Sequence, residues 1–129
     1  MRVKAMKCGR TENGVVYPYG VVSNAAYEFM KKPYRPVFIE GTNVTCNDLS
    51  QLAGVVNSME IDDNVLYADI TILDTPNGRI MNTLVKDIPE CIGFSVKGSV
   101  EESRSEDFTL INKLDIFAIE IYPKRRADE

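Results

Sequence analysis

Ile92-Gly93-Phe94-Ser95-Val96-Lys97-Gly98-Ser99-Val100 is the stretch from which the rest of this 129-residue chain is best read. Apolar side chains fall at Ile92, Phe94, Val96 and Val100, with Ser95, Lys97 and Ser99 between them. A period of two is that of a strand with one face on a core and one face open, and it sets Ser95 and Lys97 side by side on the open face. Downstream, Phe108 to Tyr122 reads as a longer strand. From Leu114 to Ile121 it is apolar on both faces, which predicts a central strand covered on both sides. Simple alternation puts Asp115 inside that strand, on the face of Phe117, Ile119 and Ile121. A carboxylate there is costly unless paired, so a cation, backbone N–H groups or an edge open to water is expected beside it, with Lys97 or an arginine as the partner.

Upstream, Asp74 or Thr75 can cap a helix that has Pro76 at its first position and Ile80, Met81, Leu84, Val85 and Ile88 as one apolar stripe. Before it, Gly54 to Ile61 and Val65 to Leu73 read as two strands joined by Asp62-Asp63-Asn64, a turn favoured by side chains that bond their own backbone. Pro36 to Ile39 is a short apolar strand followed by a polar loop from Gly41 to Ser50. Ser23 or Asn24 can cap a first helix that buries Ala26, Tyr27, Phe29 and Met30 and stops at Lys32, before Pro33. Residues 2 to 8 and Val15 to Tyr17 are extended pieces separated by the turn Glu12-Asn13-Gly14.

Composition bounds the rest. With 44% hydrophobic and 26% charged residues, no repeats and no linker, residues 1–129 read as one domain with a short charged tail over 123–129. A net charge of -4 and a pI near 4.9 argue against nucleic acid as a partner, because phosphate contacts need a clustered basic surface. Lys124-Arg125-Arg126 reads as a solvated tail. Cys8, Cys46 and Cys91 are odd in number and lack CxxC spacing. With no signal peptide and no long apolar segment, reduced thiols in a cytoplasm and no membrane span are the expectation. The glycosylation pattern Asn43-Val44-Thr45 lacks a secretory setting. Glu40, Asp48, Glu60, Asp62 and Asp63 match no metal loop and read as solvated turn acids, so neither metal nor cofactor is expected.

Four segments carry a resemblance. Asn13-Gly14-Val15-Val16-Tyr17-Pro18 before a helix resembles the NxNGRxYP opening of the prohead (head maturation) proteases of tailed phages. ILDTPNGRIMNTLV, residues 72 to 85, resembles their ILxTPxGxxxxxLI segment; GFSVKGSV, residues 93 to 100, their GVSSRGxG nucleophile motif; and KLDIFAIEIYP, residues 113 to 123, their FDVVxxPS strand. The order is the same and nearly the whole chain is spanned. The resemblance implies an α+β fold like that of herpesvirus assemblins: a mostly antiparallel, barrel-like β-sheet with two flanking helices. Position by position it implies Ser95 as a vestigial nucleophile and Asp115 as a vestigial acid, with the histidine falling near Ile39-Glu40-Gly41. No histidine exists anywhere in the chain.

Without imidazole the usual triad has no base for the serine hydroxyl. Lys97 stands where the family tends to have arginine. It is the candidate substitute base in a serine–lysine dyad, a role that needs burial; a solvated lysine is the plainer reading. Cys46 and Cys91 show no activating partner. Ser95 reads equally well as a small polar strand residue. Three function classes remain: a virion structural protein that decorates, cements or helps assemble the capsid on an inactive protease fold; a maturation protease with an unusual base that cleaves scaffold and capsid proteins; and a regulatory partner of a separate protease. The expected partners are the major capsid protein or other virion proteins, with a homo-oligomer as one arrangement and Glu101 to Asp107 as a contact region. The expected site of action is the virion, assembled in the host cytoplasm.

Overall fold

The computed structural model describes residues 1–41 and 49–124. Asn43-Val44-Thr45, Cys46, Asp48, Arg125 and Arg126 therefore lie outside the described residues. Among the described residues, eight strands and two α-helices follow one another in the order β1 (Arg2–Lys7), β2 (Gly9–Arg10), β3 (Val15–Tyr17), α1 (Tyr19–Met30), β4 (Pro36–Ile39), β5 (Gly54–Asp62), β6 (Val65–Ile72), α2 (Pro76–Asp87), β7 (Ile92–Arg104) and β8 (Thr109–Pro123). They form one mixed, mostly antiparallel sheet. Only β3 and β4 run parallel to β8, and both lie on its one edge while β7 covers the other. The path β1-β6-β5-β4-β8-β7 curls until β1 comes back beside β7, giving a nearly closed barrel of the class the sequence implied.

Local chemistry explains the elements. β5 and β6 are joined by Asp63 and Asn64 at φ 50 and 60, the left-handed pair that a two-residue hairpin requires and that Asn and Asp tolerate. α2 starts as expected: Thr75 Oγ1 accepts from Gly78 N at 2.9 Å and Pro76 fills the first helical position. Its apolar stripe is narrower than expected. Met81 is fully buried and Leu84 and Val85 pack on the core, whereas Ile80 and Ile88 are exposed.

α1 departs further from expectation. It begins at Tyr19, a turn before Ser23 and Asn24, and its N-cap Pro18 makes no side-chain bond. With that start the buried face is Val22, Ala25, Ala26 and Phe29, and Tyr27 is exposed. Val22, Phe29 and Met81 join Val3, Val37, Val56, Leu66, Ile70, Ile119 and Ile121 in one core inside the barrel.

β7 extends four residues beyond Val100, and β8 beside it is not regular. The register passes from Lys97↔Ala118 to Gly98↔Ile116 and from Glu101↔Lys113 to Glu102↔Ile111, so Phe117 and Asn112 are extra residues on β8. Backbone comes so close at the first bulge that a Cβ on Gly98 would lie 2.0 Å from the Asp115 carbonyl oxygen, which is why glycine stands there. The bulge reverses the alternation. Ile119 and Ile121 face the core, and beyond Phe117 it is Ile116 and Leu114 that do so. Asp115 therefore lies on the outer side, and the expectation that it shares a face with Ile119 and Ile121 is corrected.

Candidate functional site

Three adjacent strands bring the site together. Ser95 of β7 is the cross-strand partner of Glu120 of β8, and Glu120 is the partner of Phe38 of β4. Directly opposed residues share a face. Phe94, Val96, Ile119, Ile121, Val37 and Ile39 pack on the core, so Ser95, Glu120 and Phe38 make a row on the outside of the barrel. Phe38 and Glu120 are nonetheless buried, and Ser95 is half-buried.

Glu120 is the charged residue that sequence reasoning passed over. Its side chain is only 6% exposed, and Lys97 Nζ lies 3.5 Å from Glu120 Oε1 while the lysine side chain is 47% exposed. Lys97, two residues along the face from Ser95, is thus committed to a carboxylate and open to water. A signal was present in the sequence: Glu120 interrupts the apolar run from Ile116 to Ile121.

The sequence-derived residues are not all brought together. Asp115 pairs with Ser99, four positions from Ser95, or about 13 Å along a strand. Its carboxylate, 46% exposed, takes a different cation: Lys32 Nζ donates to Asp115 Oδ1 at 3.2 Å and to the Ile116 carbonyl at 2.8 Å. Lys32 thereby ties the end of α1 to the bulge. Ile39-Glu40-Gly41 does lie by the row. Glu40 N donates to the Ile121 carbonyl at 2.8 Å, carrying the β4–β8 ladder one step past Ile39, and Gly41 turns the chain away at φ 91. Glu60 and Asp62 bind Arg2 at 3.1 and 3.6 Å, and Asp63 is in the hairpin turn. Cys91 is exposed after α2, and burial pushes the Cys8 thiol above its usual value.

The chain covers 97% of its own length and 82% of the other chain when superposed on the bacteriophage T4 capsid assembly protease gp21, with a TM-score of 0.79 at 11% sequence identity. It has the fold of a capsid assembly protease. Compared by sequence, it matches no protein family and no curated protein. On this protease fold the outer face of β7 and β8 carries serine, lysine and glutamate, and no imidazole.

The Lys97–Glu120 pair can be dissected. In Lys97→Met the Glu120 carboxylate loses its cation while remaining buried. Urea denaturation should show a loss of about 1–3 kcal/mol, below the cost of breaking a fully buried pair because half of Lys97 is in water. Adding Glu120→Gln should recover most of that loss. A single Lys97→Met variant as stable as the parent would mean the pair contributes nothing.

Proposed function

We infer that this chain is a head-associated protein of a tailed phage that keeps a protease fold for binding rather than for peptide hydrolysis. It would act as a virion structural component that decorates, cements or helps assemble the capsid, with the major capsid protein or another virion protein as partner. One observation carries the reading: no histidine exists to deprotonate Ser95, and the position across from the serine is held by Glu120 in an ion pair with Lys97. The likeness to a protein described as a capsid assembly protease supports the phage-head setting.

The competing reading is a serine–lysine protease. A lysine base needs a buried amine free of an anionic partner. Lys97 is half exposed and faces a carboxylate, which favours the non-proteolytic reading. A fluorescent alkyl fluorophosphonate is expected to leave Ser95 unlabelled, and the purified chain is expected not to cleave capsid or scaffold protein. Labelling that disappears in Ser95→Ala would establish the protease instead. Quantitative mass spectrometry of mature particles should find the chain at a fixed ratio to the major capsid protein; fragments alone, or none, would count against a structural role.

A further inference from the structure

β1 is hydrogen-bonded only to β6, and β7 only to β8. The barrel closes by bringing these two strand edges face to face, yet no backbone hydrogen bond joins them among the described residues. Between them runs a groove of about 690 Å³, floored by apolar side chains such as Ile92 and Phe94 and flanked by Lys4, Lys7 and Lys124. Among the described residues no carboxylate lines it. Among the described residues none of the three lysines has an ionic partner, in a chain whose net charge is -4.

The opposite charge is gathered at one place. From Lys97 to Phe108 every residue is exposed: β7 and the turn into β8 form an arm along the outside of the sheet, with β3 pairing the start of β8 at Thr109 and Leu110. Its outer part carries Glu101, Glu102, Glu106 and Asp107 against Arg104, which Glu102 holds at 3.0 Å, and Arg10 of β2, whose guanidinium donates to the Asp107 carbonyl at 3.0 Å. Val100 and Phe108 add exposed apolar surface, 43% and 39% accessible. The arm's β7 edge is unpaired along its length.

We propose that the acidic arm of one copy docks over the basic β1–β7 groove of a second copy. Charge sets the geometry. Arm against arm and groove against groove would place like charges together, whereas arm against groove matches them, so the contact is head to tail and propagates to a ring or a filament. Within one copy, among the described residues, no carboxylate of the arm pairs with Lys4, Lys7 or Lys124. β7 runs as one strand from Ile92 to Arg104, and Glu102 lies about 25 Å along it from the groove residues Gly93 to Ser95. Ser95 lies in the wall of this groove, but the contact rests on the lysines and the acidic arm and holds whether or not Ser95 reacts.

Sedimentation velocity on the full chain at low salt should show a mass that rises with protein concentration and falls back toward the monomer as salt is added. The pairs K4E/K7E and E101K/E102K alter only exposed positions, and circular dichroism should show both folded. Each pair should weaken assembly at least about tenfold. The four changes combined in one chain should restore it. A chain that stays monomeric at high concentration in low salt, or assembly indifferent to both pairs, would overturn the proposal. So would a monomer that instead captures a synthetic acidic peptide in the groove.

Discussion

Gly78→Ala is expected to destabilise the protein by at least about 3 kcal/mol, although it adds a single methyl group. An added Cβ would lie 1.8 Å from the Leu73 carbonyl oxygen and 2.9 Å from that of Ala53. Both obstacles are backbone, fixed to each other by the Leu73 N to Ala53 O hydrogen bond of 3.0 Å. Relief therefore requires the first turn of α2 to move. That turn is held by the bond from Gly78 N to the Thr75 hydroxyl, which in turn donates to the Leu52 carbonyl. Asn82→Ala, on the exposed face of the same helix, is the control and should stay within about 0.5 kcal/mol. Chemical denaturation of both variants decides the matter, and a Gly78→Ala loss below about 1 kcal/mol would mean that α2 sits farther from Leu73.

Phe29→Ala should cost about 3–5 kcal/mol, the usual range for emptying a buried aromatic site. Phe29 is 1% exposed in the core, and Lys32 Nζ lies 5.9 Å from its ring centre on the way to Asp115. Part of the loss should thus come from a loosened junction between α1 and the β8 bulge. Tyr27→Ala, two residues away and 63% exposed, should change stability by less than about 1 kcal/mol. The comparison tests the phase of the helix. Had α1 started at Ser23 or Asn24 with Tyr27 inward, the tyrosine variant would be strongly destabilised.

What could be read from the chain alone was what is decided within a few residues. Asp63-Asn64 requires a tight hairpin, Thr75-Pro76 starts a helix, and the alternation from Ile92 to Val96 puts Ser95 outside; each depends on near neighbours. α1 was misplaced because Ser23 and Asn24 resemble caps, while the true start at Pro18 is set by backbone and packing and leaves no side-chain cap. The site was half legible. Ser95 and Lys97 share a face as expected, but their carboxylate is Glu120, and Asp115 belongs with Lys32. Nothing in Asp115-Ile116-Phe117-Ala118 announces an extra residue. The bulge results from how β7 and β8 meet, with Gly98 on the other strand permitting the close approach.

Phe117 makes the parity of residue count in β8 a structural quantity in its own right. On one side of it odd-numbered residues point inward, and on the other even-numbered ones do. Losing that single residue would straighten the ladder and leave Leu114 and Ile116 inside the barrel and Lys113 and Asp115 outside it, whereas losing a neighbour while the bulge stayed in place would turn the strand beyond it over, a change that no one substitution could make. A shortening or lengthening of this strand is therefore tolerable in pairs of residues, or singly where a bulge is lost, gained or shifted along the ladder to absorb it. In this stretch the spacing between side chains constrains the chain more tightly than their identities do.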